Sequence, residues 1–215
     1  MNHTELATAV FNKYASDYEC KFMDLSMYHE SFDVFCAQIP HEDAEILDIA
    51  CGPGNISRYL LQKRPGFRIL GIDLARNMLE RARINNPQAE YRLMDCRDIV
   101  ALDKQYVGIM CGFCLPYLAG EDVVKLIADA RQILIAGGAL YLSTMEDDPS
   151  RSGFRSSSQD ENDRCYLYYH EAGFLQNALF ENGFDIVHLQ RKVYPSKGGN
   201  QTTDLLIVAV KMMCS

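Results

Sequence analysis

Positive charge is scarce in this sequence. It has 21 lysines and arginines against 29 aspartates and glutamates, a formal net charge of −8. A net negative field repels phosphate backbones, so a general nucleic-acid binder is disfavoured. Long apolar runs are missing as well. None approaches the ~20 residues that a membrane-spanning helix requires, and no membrane association is expected. The opening Met1-Asn2-His3-Thr4-Glu5 has neither the basic start nor the apolar stretch of a secretion signal, and a cytoplasmic location is expected. The eight cysteines form no framework. They are scattered through apolar segments, which suits reduced core thiols. Cys111-Gly-Phe-Cys114 has the CxxC spacing, but no second cysteine or histidine pair of matching spacing accompanies it. Packing is the reading for it, and no metal site is expected. No internal repeat and no low-complexity segment occurs.

What remains is a globular composition, 48% apolar and 23% charged over 215 residues. That is enough chain for one domain with a small cap. In residues 5–39, Leu6, Val10, Phe11, Tyr14 and Tyr18 recur at helical spacing, and so do Phe22, Leu25, Phe32, Phe35 and Ile39. Pro40 stops the second of these helices. The segment 1–42 is therefore read as an N-terminal helical cap, with the main domain over 43–215. From Ala44 onward short β-rich runs alternate with helix-length amphipathic stretches. Strands are predicted at 45–50, 67–73, 90–95, 106–111 and 139–145. Helices are predicted from near Asn55, Arg76 and Asp122, with a shorter turn near Arg97. Such alternation means βαβ units and a parallel sheet with helices on both faces. Ala136-Gly137-Gly138 ends a helix and turns into the fifth strand.

The last third breaks the alternation. Residues 146–164 are polar and predict a loop, and 169–181 predict a helix capped by Asn182-Gly183. Two strands follow, at 184–194 and 202–211. The linker 196–201 is far too short for a parallel crossover, so these strands form an antiparallel hairpin.

The sharpest feature is Ile46-Leu47-Asp48-Ile49-Ala50-Cys51-Gly52-Pro53-Gly54-Asn55-Ile56-Ser57. An apolar strand enters a Gly-x-Gly turn and a helix follows. Glycines let a ligand approach the backbone closely, and the new helix N-terminus points amide donors at it. The second strand ends Gly71-Ile72-Asp73, about 20 residues beyond the glycines, where a carboxylate reaches ribose hydroxyls. A dinucleotide and S-adenosylmethionine both fit so far. Three details separate them. Ser57 stands where a dinucleotide fingerprint has its third glycine. The third strand ends in a further carboxylate, Asp95, able to accept from an adenine amino group. The closing antiparallel hairpin is foreign to a dinucleotide domain.

These segments together resemble the class I S-adenosylmethionine-dependent methyltransferases. Leu47 to Gly54 resembles the family's first motif, and Gly71-Ile72-Asp73-Leu74-Ala75-Arg76-Asn77-Met78 resembles its ribose-carboxylate segment. Met94-Asp95-Cys96 resembles its adenine turn, and Gly137 to Leu142 its turn into strand five. The resemblance implies an α/β, Rossmann-like, seven-stranded sheet of order 3-2-1-4-5-7-6, strand 7 antiparallel, with an N-terminal helical lid. It implies S-adenosylmethionine as cofactor. The backbone of Ala50 and Gly52 would hold the methionine amino group, with Asp48 behind and Gly54 completing the turn. Asp73 would bind the ribose hydroxyls, and Leu74 and Met78 would flank the adenine. Asp95 would accept from the adenine amino group, and the Cys96 amide would meet a ring nitrogen. Cys111 and Gly112 would border the reacting methyl. Val10 to Tyr18 resembles the lid helix of small-molecule members, with Tyr14 and Tyr18 as candidates to close over the cofactor.

A sulfonium methyl is already activated, so alignment and exclusion of water are the main tasks, and a general base is optional. No triad, no paired catalytic carboxylates and no metal cluster stand out. His170, the one histidine near the substrate edge, is the candidate base. The expected acceptor is a small molecule. The alternatives are a nicotinamide-dependent Rossmann reductase and a non-catalytic S-adenosylmethionine-binding module. Asp73→Ala is expected to weaken S-adenosylmethionine binding at least tenfold, since charge-assisted bonds to two hydroxyls are worth about 1.5–3 kcal/mol. An unchanged dissociation constant in calorimetry would refute the role given to Asp73.

Overall fold

The computed structural model describes residues 2–157, 160–194 and 202–213. The linker assigned to 196–201 and the eighth cysteine, Cys214, lie outside the described residues. The apolar run of β1 (Glu45–Ile49) is buried on both faces, as a central parallel strand must be. It pairs in parallel with β2 (Arg68–Asp73) on one side and β4 (Tyr106–Cys111) on the other. β3 (Glu90–Leu93) extends the sheet beyond β2, and β5 (Leu134–Glu146) beyond β4. β9 (Thr202–Lys211) then runs antiparallel to β5, and β8 (Phe184–Tyr194) is antiparallel to β9. The seven-stranded order is β3-β2-β1-β4-β5-β9-β8. This is the expected order, once the two extra strands described below are counted.

The helices cover both faces because their buried residues recur at three- and four-residue spacing. On one face lie α3 (His29–Ala37) and α4 (Asn55–Lys63), whose Phe32, Phe35, Ile56 and Leu60 pack on Ile46, Met110, Tyr141 and Leu206. On the other lie α6 (Gly120–Ile133) and α7 (Ala172–Glu181), whose Val123, Leu126, Ile127 and Leu175 pack on Leu47, Ile49, Ile109 and Ile207. Alternate residues of β1 thus feed opposite cores, the two-residue period of a strand. The cap docks where a side chain is missing. A Cβ at Gly108 of β4 would lie 2.7 Å from the Phe35 ring and 2.8 Å from Ile39. Glycine there lets α3 and its exit lie directly on the sheet.

The helical cap is more broken than its apolar spacing predicts. α1 (His3–Lys13), opened by an Asn2–Glu5 capping box, and α2 (Ala15–Phe22) meet at Tyr14, whose φ of −107° and ψ of 23° leave the helical region. The Asp24 carboxylate accepts from the Ser26 amide at 2.9 Å. That local bond competes with helix continuation and yields a short 3-10 turn, Ser26–Tyr28, before α3.

Three further expectations are corrected. The polar stretch 146–164 is not one loop. It contains β6 (Gly153–Ser156), which pairs with β7 (Arg164–Leu167) in a separate two-stranded sheet. The cross-strand pair Phe154 and Tyr166, with centroids 5.2 Å apart, supplies the packing that the polar sequence conceals. α7 begins at Ala172 rather than Tyr169, because the Tyr169 amide donates to Ser152 Oγ and His170 is held by a neighbouring loop. α6 ends at Ile133, ahead of Ala136-Gly137-Gly138, and the glycines form an irregularity inside β5, with Gly137 at φ +75°. Among the described residues, no helix is long and apolar enough to cross a membrane. Phe35 is fully buried at the junction of cap and sheet. Phe35→Ala is expected to cost about 3–5 kcal/mol of unfolding free energy, read from denaturant melts.

Candidate functional site

β1 ends in a turn with unusual backbone. Ala50 takes φ +52°, Gly52 φ +53° and Gly54 φ +79°. At Gly54, which caps α4, a Cβ would lie 2.4 Å from Asn86 Nδ2, so glycine is required by space as well as by φ. Ala50 has no such freedom and carries strain of roughly 1–2 kcal/mol. The turn is held from the next strand. Asp73, at the tip of β2, accepts from the Gly52 amide at 2.9 Å through Oδ2 and from the Ala75 amide at 2.8 Å through Oδ1. Burial pushes the Asp73 pKa up, against the pull of these amides. Each oxygen keeps lone-pair capacity for a further donor.

Asp48 lies beneath the turn, 0% exposed. Ser57 Oγ donates to its Oδ2 at 2.6 Å, and Oδ1 has no partner among the described residues. Ser57, the residue that departs from the dinucleotide fingerprint, is thus the partner of this carboxyl. Burial pushes the Asp48 pKa up to about 7.

One strand further out, β3 leads into Asp95. Its Oδ1 accepts from the Arg97 amide at 2.9 Å and from Arg97 Nε at 3.0 Å. Burial alone would raise the Asp95 pKa, but Arg97 leaves it below the usual carboxylate value.

Asp73 and Asp95 line one crevice of about 140 Å³ together with Ala50, Gly52, Leu74, Met78, Cys96 and Gly112. α1 roofs it with Thr4, Ala7, Thr8 and Phe11. Around Ala50, Gly52 and Gly112 the crevice adjoins a second chamber of about 470 Å³, and Tyr18 and Tyr117 border both. The arrangement suits an elongated ligand with a diol at Asp73, a flat amino-bearing ring between Leu74 and Met78, and its far end near Gly112. The larger chamber is then free for a second molecule.

Not every residue singled out in the sequence reaches these chambers. Tyr14 donates its hydroxyl to Asp163 at 2.6 Å, beside the Lys13–Asp163 ion pair, and lines neither chamber. It ties α1 to the segment leading into β7. His170 is 5% exposed, and its Nε2 lies 3.1 Å from the carbonyls of both Leu115 and Leu118. Burial holds its pKa down, and it fastens the loop after β4 instead of facing a chamber. Cys111 is buried in the core beside Gly112. Gly54 and Asp48 act from behind the turn.

The sequence placed Phe113 to Tyr117 at the substrate edge but did not show the left-handed backbone of Phe113 or the pairing of Tyr28 with Asp204. Phe113, just past β4, holds φ +54° and donates its amide to Ser143 Oγ at 2.9 Å. Tyr28 and Asp204 meet in the second chamber, with the hydroxyl donating to Oδ2 at 2.6 Å. The available signal was an aspartate opening the otherwise apolar run Leu205 to Val210.

Because Asp48 holds its proton in the folded chain to about pH 7 and releases it near pH 4 when unfolded, its contribution is present below about pH 4 and is lost as pH rises to about 7. Relative to Asp48→Asn, the native chain is expected to lose up to about 4 kcal/mol across that window. Denaturant melts of the pair at several pH values check this, and a pH-independent difference would refute it.

The family described as "Methyltransferase domain" matches residues 46–138. The chain is 30% identical over 202 residues to YqeM of Bacillus subtilis (strain 168), which is named as a methyltransferase, covering 85% of this chain and 80% of that protein. It is 30% identical over 125 residues to N-demethylindolmycin N-methyltransferase of Streptomyces griseus, 56% of this chain and about half of that enzyme (52%). Among solved structures, the 1,6-didemethyltoxoflavin-N1-methyltransferase of Burkholderia thailandensis, with its substrate and S-adenosylhomocysteine bound, superposes with a TM-score of 0.71. That match is 19% identical and covers 97% of this chain and 88% of that one. With a glycine turn, two strand-tip carboxylates and a relative matched over most of both chains, the protein belongs to the class I S-adenosylmethionine-dependent methyltransferases.

Proposed function

We propose that this enzyme transfers a methyl group from S-adenosylmethionine to a small molecule, with the cofactor in the crevice between Asp73 and Asp95 and the acceptor in the adjoining chamber. One observation carries the reading. The carboxylates at neighbouring strand tips and the Gly52 turn line a single crevice that abuts a larger chamber around Gly112. When bound, S-adenosylmethionine supplies a methyl group activated by sulfonium charge.

The chain's own residues do the rest. Asp73, held by the Gly52 and Ala75 amides, receives the ribose hydroxyls. Leu74 and Met78 sandwich the adenine, and Asp95 takes its amino hydrogen beside the Cys96 amide. The Ala50 and Gly52 backbone meets the amino-acid end, with Tyr18 above it. Residues 1–42 act as a cap that excludes water. Alignment of the two reactants is worth up to about 7–11 kcal/mol in ideal cases, which leaves little need for a strong base. The size of the second chamber, about 470 Å³, supports a small acceptor, and one relative and one structural neighbour are named for small nitrogen-bearing substrates. The reductase alternative is weakened by Ser57, whose buried bond to Asp48 occupies the place of the third fingerprint glycine.

Calorimetric titration is expected to show binding of S-adenosylmethionine and none of NADH, and binding of NADH alone would reverse the reading. Incubation with pooled metabolites is expected to release S-adenosylhomocysteine. No release from any pool would favour a non-catalytic binding module.

A further inference from the structure

β9 runs against its parallel neighbours, so its beginning lies at the edge where they end. Asp204, near that beginning, stands opposite Met145 at the end of β5. Its side of the strand is the one that carries Leu206 and Val208 against α3. The residue is 3% exposed. Its Oδ2 accepts the Tyr28 hydroxyl at 2.6 Å, and among the described residues Oδ1 receives no hydrogen bond. Asp204 forms no salt bridge among the described residues either. Burying a carboxylate with one neutral hydroxyl for compensation is costly, and a site needing only packing is served by leucine. Both groups line the second chamber, whose other walls include the rings of Phe22, Phe32, Phe113 and Tyr117. Lys21 and Asp24 also line it, both exposed, so Asp204 is its one buried carboxylate, and flat apolar walls around such a group suit a flat molecule that offers a hydrogen.

We propose that Asp204, positioned by Tyr28, selects an aromatic acceptor by taking a hydrogen bond from the O–H or N–H that is to be methylated. The proposal rests on reading the second chamber as the acceptor site. In the transfer, the acceptor's lone pair forms the new bond to carbon. The carbon–sulfur bond breaks with its electron pair going to sulfur, and the acceptor's proton passes to Asp204 Oδ1. Burial raises the proton affinity of this carboxyl, in the direction a proton acceptor requires. An acceptor that is already anionic is repelled by the same charge.

The test uses 2-naphthol and 2-methoxynaphthalene, which share a ring system and differ in the donor. Each is titrated calorimetrically into the full chain, with and without S-adenosylhomocysteine. The native protein is expected to bind 2-naphthol about tenfold more tightly, the scale of a hydrogen bond to a charged group. In Asp204→Leu the ratio is expected to fall to within about threefold, with binding of the methoxy probe retained. Asp204→Asn keeps the shape, guards against misfolding of the leucine variant, and is expected to lower the ratio at least about threefold. Tyr28→Phe is expected to lower the ratio in part while leaving methoxy binding unchanged, which loss of packing alone would not do. A native ratio near one, or a ratio unchanged in folded Asp204 variants, overturns the proposal. Failure of S-adenosylhomocysteine to bind would overturn the cofactor reading separately, and the probe ratio measured in its absence still decides the role of Asp204.

Discussion

A single carboxylate fastens the glycine turn of β1 to the tip of β2. Asp73 takes the Gly52 amide with one oxygen and the Ala75 amide with the other. The turn and the start of the next helix are thereby fixed relative to each other. The positive φ of Ala50 persists because this grip, and the buried Asp48–Ser57 pair below it, leave the chain no easier path. Strain, buried carboxyls and close backbone packing are all unfavourable. They collect at one sheet edge, where they shape a crevice, and the apolar body of the sheet offsets them.

The cap is attached in two different ways. α3 is buried through Phe32 and Phe35 against the bare backbone at Gly108, an attachment that opens only at large cost. α1 and α2 are held by a small apolar cluster, Ala15 with Ala75 and Met78 beside Phe11 and Tyr18, by the stacking of His3 on Tyr166, and by polar contacts: Lys13 to Asp163, Glu19 to Arg81, and Asn12 to Asn77. Exposed pairs of this kind are worth about 0–1 kcal/mol each. The roof over the crevice of Asp73 and Asp95 is therefore the weaker end of the cap, and the wall of the second chamber is the firmer end. A ligand entering under α1 disturbs little of the core.

The parallel strands and their helices were legible because burial on both faces demands unbroken apolar runs, and amphipathic helices repeat their apolar residues every three to four positions. The glycine turn was legible because few other residues accept its φ values. Asp73 and Asp95 were legible because their place in the sequence puts them at strand tips. Other features were hidden because their partners are distant in sequence. β6 and β7 carry polar residues, and their pairing rests on Phe154 meeting Tyr166 and on His3, which stacks on Tyr166 with centroids 4.2 Å apart. Tyr14 had the spacing of a lid residue, yet Asp163, 149 residues away, takes its hydroxyl. His170 lay at the right end of the chain for a base, but two backbone carbonyls in the loop after β4 hold its ring.

By itself the sequence determined the fold class, the cofactor and the edge of the sheet at which the glycine turn and the strand-tip carboxylates gather, since period, turn chemistry and strand-end carboxylates are local properties. Only the tertiary structure decided which side chains face the second chamber. The reversal of β9 brings Asp204 to Tyr28 across 176 residues, and a long-range antiparallel pairing of that kind leaves no periodic trace in the chain.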